Sequence, residues 1–109
     1  MSLMNTPVPT TAVIREVGLR DGLQSIQTIL PTEHKRAWVQ AAHAAGVREI
    51  EIGSFVPARL LPQLADTAQL VAYARTLPEL FVSALVPNLR GAENAVASGV
   101  DLMIVPLRS

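Results

Sequence analysis

Residues 47–56 read VREIEIGSFV. Val47, Glu49 and Glu51 alternate with Arg48, Ile50 and Ile52 up to Gly53, the two-residue period of a β-strand, and this predicts a strand over 48–53. What flanks the stretch decides the fold. Upstream, Pro31-Thr32-Glu33 is a helix start: Thr32 can cap free backbone N–H groups, and Glu33 falls in the first turn, where the helix dipole favours a negative charge. Trp38, Ala41, Ala42 and Ala45 then share a face, and Gly46 closes the helix. Downstream, a second helix is expected from Pro62, well suited to a first helical position, to just before Pro78.

The same alternation of element types extends in both directions. Ala12-Val13-Ile14 with Val17 predicts a first strand over 12–17, bounded by Gly18. LFVSALVP predicts a third strand at about 80–86, stopped by Pro87. Asn88 can cap a third helix that runs through Ala97 and ends at Gly99, and DLMIVP predicts a fourth strand at about 101–106. The order β-α-β-α-β-α-β argues for an α/β fold with a parallel sheet covered by helices, and apolar runs such as LMIV fit a sheet buried on both faces. Two architectures begin this way, a doubly wound open sheet and a TIM (βα)8 barrel. A full barrel takes about 250 residues, so on that reading the chain covers about the first half. Residues 1–11 carry a second methionine at Met4, then two prolines and three threonines, and are expected to be an expression scar and flexible lead-in; residues 12–109 form the domain.

Composition narrows the function classes. The chain has 109 residues, half of them apolar, no cysteine, and nine basic side chains against nine acidic ones. The charges are scattered, so there is no electrostatic footprint for nucleic acid or an anionic membrane. No apolar stretch approaches the roughly 20 residues of a membrane helix, and there is no secretory signal pattern. Absence of cysteine excludes a disulfide scaffold and cysteine-ligated zinc within these residues, and fits a reducing compartment, so the cytoplasm is the expected location.

Function then has to come from a local site. In both architectures the loops after the strands' C-terminal ends form the ligand-binding edge. Glu16, Arg20, Asp21 and Gln24 lie there after strand one, Glu51, Ser54 and Phe55 at the end of strand two, Pro87 and Asn88 after strand three, and Arg108 after strand four. Asp21 is a hard oxygen ligand suited to Mg2+ or Mn2+, Arg20 can stabilise an oxyanion or grip a carboxylate, and Gln24 adds a neutral polar group. The alternative is solvated turn chemistry around Gly22. Glu51 stands between two isoleucines near the end of a buried strand, where an unpartnered charge is costly. It therefore has either a functional role or an ion pair with an arginine such as Arg20. His34 and His43 lack metal-ligand spacing, and neither a phosphate-loop nor a dinucleotide-binding glycine pattern is present.

These residues carry a family resemblance. REVGLRDGLQS (15–25) resembles the EVGPRDGLQNE opening of 3-hydroxy-3-methylglutaryl-CoA lyase and its relatives in the metal-dependent acyl-CoA lyase and synthase superfamily. IEIGSFVPARLLPQLAD (50–66) resembles IETTSFVSPKWVPQMAD, and LVPNLRGAENAVASGVD (85–101) resembles TPNLKGFEAAVAAGA. The resemblance spans about residues 12–106. It implies a TIM barrel with a divalent cation at its C-terminal mouth. Asp21 would be a metal ligand, Arg20 the cation that stabilises an enolate, Glu51 a catalytic residue on the acid/base side, and Gln24 and Ser54 substrate-binding residues. The implied reaction cleaves a 3-hydroxyacyl-CoA to acetyl-CoA and a keto acid, in a homo-oligomer. Leu19 replaces the lyases' proline and is shared with the homocitrate and isopropylmalate synthases (TLRDGEQ), whereas Leu23 replaces their glutamate. A condensing synthase and a non-catalytic half-barrel module are the alternatives. The family's further ligands, a histidine pair, and its glycine-flanked cysteine fall outside residues 1–109, so these residues alone are expected to be inactive.

Overall fold

A computed structural model describes residues 12–106. The elements are β1 (Arg15–Glu16), α1 (Thr32–Ala44), β2 (Glu49–Ser54), α2 (Thr67–Ala74), β3 (Phe81–Leu85), α3 (Leu89–Ser98) and β4 (Leu102–Ile104), with a wide helical turn at Gly18–Gly22 and a 3-10 turn at Pro62–Leu64. The four strands form one parallel sheet in the order β1-β2-β3-β4. Parallel strands with a helix after each of β1, β2 and β3 are what the alternation predicts, and their unreversed sequential order is that of a βα-barrel wall. The expression scar and lead-in assigned to residues 1–11, and Arg108, lie outside the described residues.

Register separates two chemistries on the sheet. Glu16, Ile50 and Val82 stand side by side, as do Glu51 and Ser83, and Arg15 with Glu49 and Phe81. Ile50, Ile52 and Val82 are fully buried and form one core with Val39 of α1 and Leu70, Val71 and Ala74 of α2. The opposite face carries Arg15, Glu49 and Glu51, with Arg15 Nε 3.9 Å from a Glu49 carboxylate oxygen. The alternation read in VREIEI is thus the division between the helix-covered face and the inner face of the barrel wall.

Several boundaries differ from expectation. Ala12 to Ile14 are outside β1, and Val13 and Ile14 are largely exposed, because β1 pairs only with β2 and only at two positions. At the other edge, Leu102 and Met103 remain 38% and 39% exposed, so β4 is not buried on both faces; among the described residues it has a neighbour on the β3 side alone. The single helix expected from Pro62 is broken into the 3-10 turn and α2, with Asp66 between them. Gly53 has no room for a side chain: a Cβ there would stand 2.3 Å from Thr67 Oγ1. That close approach seats α2 on β2 beside the register shift between Glu51 and Ser54.

The C-terminal end of α1 and the N-terminal end of α3 follow their sequence signals, whereas the start of α1 does not. Gly46, at φ +99°, lets Val47 N–H reach Ala42 C=O and Gly46 N–H reach His43 C=O. Asn88 caps α3 by accepting from Gly91 N–H at 2.8 Å. Thr32, however, does not cap α1. Pro31 holds the capping position, and the Thr32 hydroxyl donates to Asp66 Oδ2 at 2.7 Å. The buried stripe of α1 is also rotated from the alanine face: Ala41 and Ala45 are exposed, and the fully buried residues are Val39 and Lys35. Lys35, 1% exposed, places its ammonium 2.6 Å from Asp66 Oδ1 and 2.6 Å from the Gln63 carbonyl. A charge so placed is tolerable only because it is paired and hydrogen-bonded.

Lys35→Met leaves the largely buried Asp66 carboxylate with only the Thr32 hydroxyl as its partner and is expected to cost about 3 kcal/mol, read by denaturant unfolding. Adding Asp66→Asn is expected to recover much of that loss.

Candidate active site

The turn after β1 is anchored from below and open above. Leu19 and Leu23, four residues apart, are both buried in the core, so the intervening backbone is held against β2. Leu23 N–H bonds to Gly18 C=O, closing the wide turn, and Asp21 N–H bonds to Val17 C=O at 2.8 Å. Glu16 Oε1 accepts from Gly18 N–H at 2.7 Å and fixes the entry into the turn. With both leucines committed to the core, Arg20, Asp21 and Gln24 are left on the other side.

One guanidinium gathers the candidate residues. Arg20 Nε donates to Glu51 Oε1 at 2.8 Å, across 31 residues of sequence, while its Nη1 lies 3.4 Å from Asp21 Oδ1 and 3.4 Å from Gln24 Oε1. Glu51 is 4% exposed, so its carboxylate has exchanged water for Arg20. The ion pair foreseen for Glu51 is therefore present, and it places Glu51 in the same cluster as the strand-one residues. Ser54 is not one of the groups Arg20 reaches. It is 2% exposed, its hydroxyl has no hydrogen-bond partner among the described residues, and it lines a separate cavity of about 500 Å3 with Phe55, Thr67, Asn88, Arg90 and Asn94.

Charge and exposure set what the cluster can hold. One guanidinium and two carboxylates leave a formal charge of −1, and the Asp21 side chain is 69% exposed with only a long contact to Arg20. Its remaining oxygen lone pairs face solvent, which suits a hard divalent cation. Among the described residues no group of three or more His, Cys, Asp or Glu side chains could hold a metal ion. The described residues therefore offer Asp21 as a single exposed hard-oxygen donor and no complete cation site. His43 is occupied, its Nε2 standing 2.8 Å from the Pro78 carbonyl, and His34 is exposed.

Three residues that support this arrangement were missed from sequence: Lys35, Gln63 and Asp66. Gln63 and Asp66 sit inside the PQLAD segment, whose resemblance to the lyases was visible but had no chemistry assigned. Lys35 shares a helical face with Val39, four residues on, and a lysine at such spacing reads as surface unless its partner is known.

A parallel sheet of successive βα units with a charged cluster where β1 and β2 end defines part of a TIM-barrel enzyme fold. No family model matches the chain. Over 98 residues, 90% of the chain, it is 40% identical to the cytoplasmic 3-hydroxy-3-methylglutaryl-CoA lyase of Rattus norvegicus, covering 29% of that protein. It is 42% identical over 102 residues to the 3-hydroxy-3-isohexenylglutaryl-CoA/hydroxymethylglutaryl-CoA lyase of Pseudomonas aeruginosa, which covers 94% of the chain and 33% of that protein. The crystal structure of hydroxymethylglutaryl-CoA lyase from Pseudomonas aeruginosa superposes with a TM-score of 0.83 at 40% identity, over 89% of this chain and 32% of that one. An HMG-CoA lyase from Acinetobacter baumannii, solved in complex with coenzyme A and 3-methylmalate, gives 0.78 at 32% identity, over 85% and 30%. The chain is similar to HMG-CoA lyases over about nine-tenths of its own residues and spans about a third of the length of the curated relatives it matches. Leu19, where the lyase pattern has proline, is fully buried in the core, and it is not among the groups that hydrogen-bond to Arg20.

Arg20→Met is expected to destabilise the protein by about 3 kcal/mol, because it strands the buried Glu51 carboxylate. The double variant Arg20→Met/Glu51→Gln is expected to regain at least half of that in urea unfolding.

Proposed function

We propose that the protein of which these residues form part is a divalent-metal-dependent carbon–carbon lyase that cleaves a 3-hydroxyacyl-CoA into acetyl-CoA and a keto acid. The observation that carries this reading is the Arg20 guanidinium, held by buried Glu51 and flanked by Asp21 and Gln24 at the strands' C-terminal ends. Homology to lyases over nine-tenths of the chain supports the reaction class. Binding of coenzyme A by the Acinetobacter lyase supports an acyl-CoA substrate.

Each residue has a task set by its surroundings. Asp21, exposed and weakly engaged, would contribute a carboxylate to the cation; that cation, Mg2+ or Mn2+ in this reading, supplies Lewis-acid polarisation of substrate oxygens. Arg20 faces the developing enolate oxygen of the acetyl-CoA product as the C–C bond breaks, and stabilises negative charge that is absent from the ground state. Glu51 lies on the proton-handling side of the proposed site, and its bond to Arg20 Nε orients the guanidinium with Nη1 beside Asp21 and Gln24. Gln24 offers its amide to the substrate. Ser54 contributes, if the family pattern is followed, from the adjoining cavity. We place the protein in the cytoplasm, with cytoplasmic relatives in support although others are mitochondrial; among the described residues no helix is long and apolar enough to cross a membrane. We further propose that copies of the complete protein assemble as a homo-oligomer.

Asp21→Asn in the full-length polypeptide is expected to lower metal-dependent acetyl-CoA release at least about 100-fold while leaving unfolding stability within about 0.5 kcal/mol, since the side chain is exposed. Chelator is expected to abolish the wild-type activity. A polypeptide of residues 1–109 alone is expected to release no acetyl-CoA, and turnover by it would overturn the assignment of missing ligands.

A further inference from the structure

Behind the Arg20 cluster lies a second polar assembly that the proposed reaction does not use. The Gln63 side chain, 8% exposed, donates from Nε2 to the carbonyl oxygens of Gln24 at 3.2 Å and Ile26 at 2.9 Å. The backbone carbonyl of the same residue accepts from Lys35 Nζ, which is paired with Asp66 Oδ1, and Asp66 Oδ2 accepts from Thr32. A continuous chain of hydrogen bonds therefore runs from the first turn of α1, through the residue that precedes α2, to the backbone of the loop that presents Gln24.

That loop has little else to hold it. Past the buried Leu23, local support consists of a 3.4 Å contact from Ile26 N–H to Leu23 C=O and the Ser25 hydroxyl on Gly22 C=O. Ile26 and Ile29 are 43% and 59% exposed and contribute no buried anchor. Among the described residues, besides the Arg20–Gln24 contact and the packing of Leu30 against the core, the amide of Gln63 is the side-chain group that joins this segment to the rest of the fold, and its two acceptors straddle Ser25.

We infer that Gln63 is a positioning residue: its amide clamps the 24–26 backbone, and the buried Lys35–Asp66 pair sets where that amide stands, so that Gln24 Oε1 stays within reach of Arg20 Nη1. The inference rests on the reading of Arg20, Asp21 and Gln24 as the reaction site. Gln63 touches none of the reacting atoms. Its two bonds act on geometry, and displacements of about 1 Å at such a site lower turnover by as much as about 100-fold.

Gln63→Met keeps the length of the side chain and removes both donors. Arg75→Met serves as the comparison, since it removes contacts with Gly99 and Asp101 at the β4 side and leaves the loop alone. Both are made in the full-length protein, and kcat/KM for acyl-CoA cleavage, thermal midpoint and backbone hydrogen exchange are measured on each. Gln63→Met is expected to speed exchange in the 23–29 segment about 5-fold or more, consistent with the loss of two hydrogen bonds, and to lower kcat/KM about 10-fold or more. Arg75→Met is expected to do neither at a comparable loss of thermal midpoint. Unchanged exchange over 23–29 in Gln63→Met overturns the clamp, and equal losses of kcat/KM in the two variants reduce Gln63 to general stability. If wild-type protein shows no metal-dependent cleavage, the proposed function fails, while the exchange measurement still decides whether Gln63 holds the loop.

Discussion

The 2.8 Å bond between Arg20 Nε and Glu51 Oε1 joins the ends of two neighbouring strands at a place almost closed to water. A carboxylate that is 4% exposed is costly to bury without a partner, and a guanidinium held on one edge has its other nitrogens left to serve elsewhere. That single constraint orders much around it. β1 and β2 have to be neighbours, which they are at Arg15–Glu49 and Glu16–Ile50. The turn between β1 and its helix has to present Arg20 on the side away from the core, which Leu19 and Leu23 enforce by going into it.

A second buried ion pair acts at right angles to the chain order. Lys35 and Asp66 link the first turn of α1 to the start of α2, and in doing so they divert groups that local rules would use for capping. Thr32 gives its hydroxyl to Asp66, and Asp66, at the N-cap of α2, makes no cap hydrogen bond with its side chain. Both helices give up local hydrogen bonds for a tertiary network whose far end is the Gln63 amide on the Gln24 loop. Buried polar groups of this kind are costly when half satisfied, and here each charged oxygen and the ammonium has a partner.

How far the fold was legible depended on whether a signal was local. Alternation in VREIEI, glycine at the ends of α1 and α3, and Asn88 before α3 all act through the backbone of a few adjacent residues, and all match the structure. Strand lengths at the sheet edges did not, because Ala12–Ile14 and Val105 have apolar composition but no ladder partner among the described residues. The buried face of α1 was read from its alanines, whereas the residue that goes deepest is Lys35. Its burial depends on a carboxylate 31 residues away, which no window of local sequence contains.

The candidate site divides in the same manner. Residue types and ordered motifs by themselves determined the α/β alternation, the edge of the sheet where chemistry would sit, and the list Arg20, Asp21, Gln24, Glu51 and Ser54, since these follow from side-chain chemistry and strand direction. Only the tertiary structure decided that Asp21, Gln24 and Glu51 converge on the Arg20 guanidinium while Ser54 lines another cavity, and that Leu19 belongs to the core. The physical reason is distance in sequence: pairing Arg20 with Glu51, or Lys35 with Asp66, is favourable only after the sheet and helices have excluded water from both partners, and that exclusion is a property of the assembled fold.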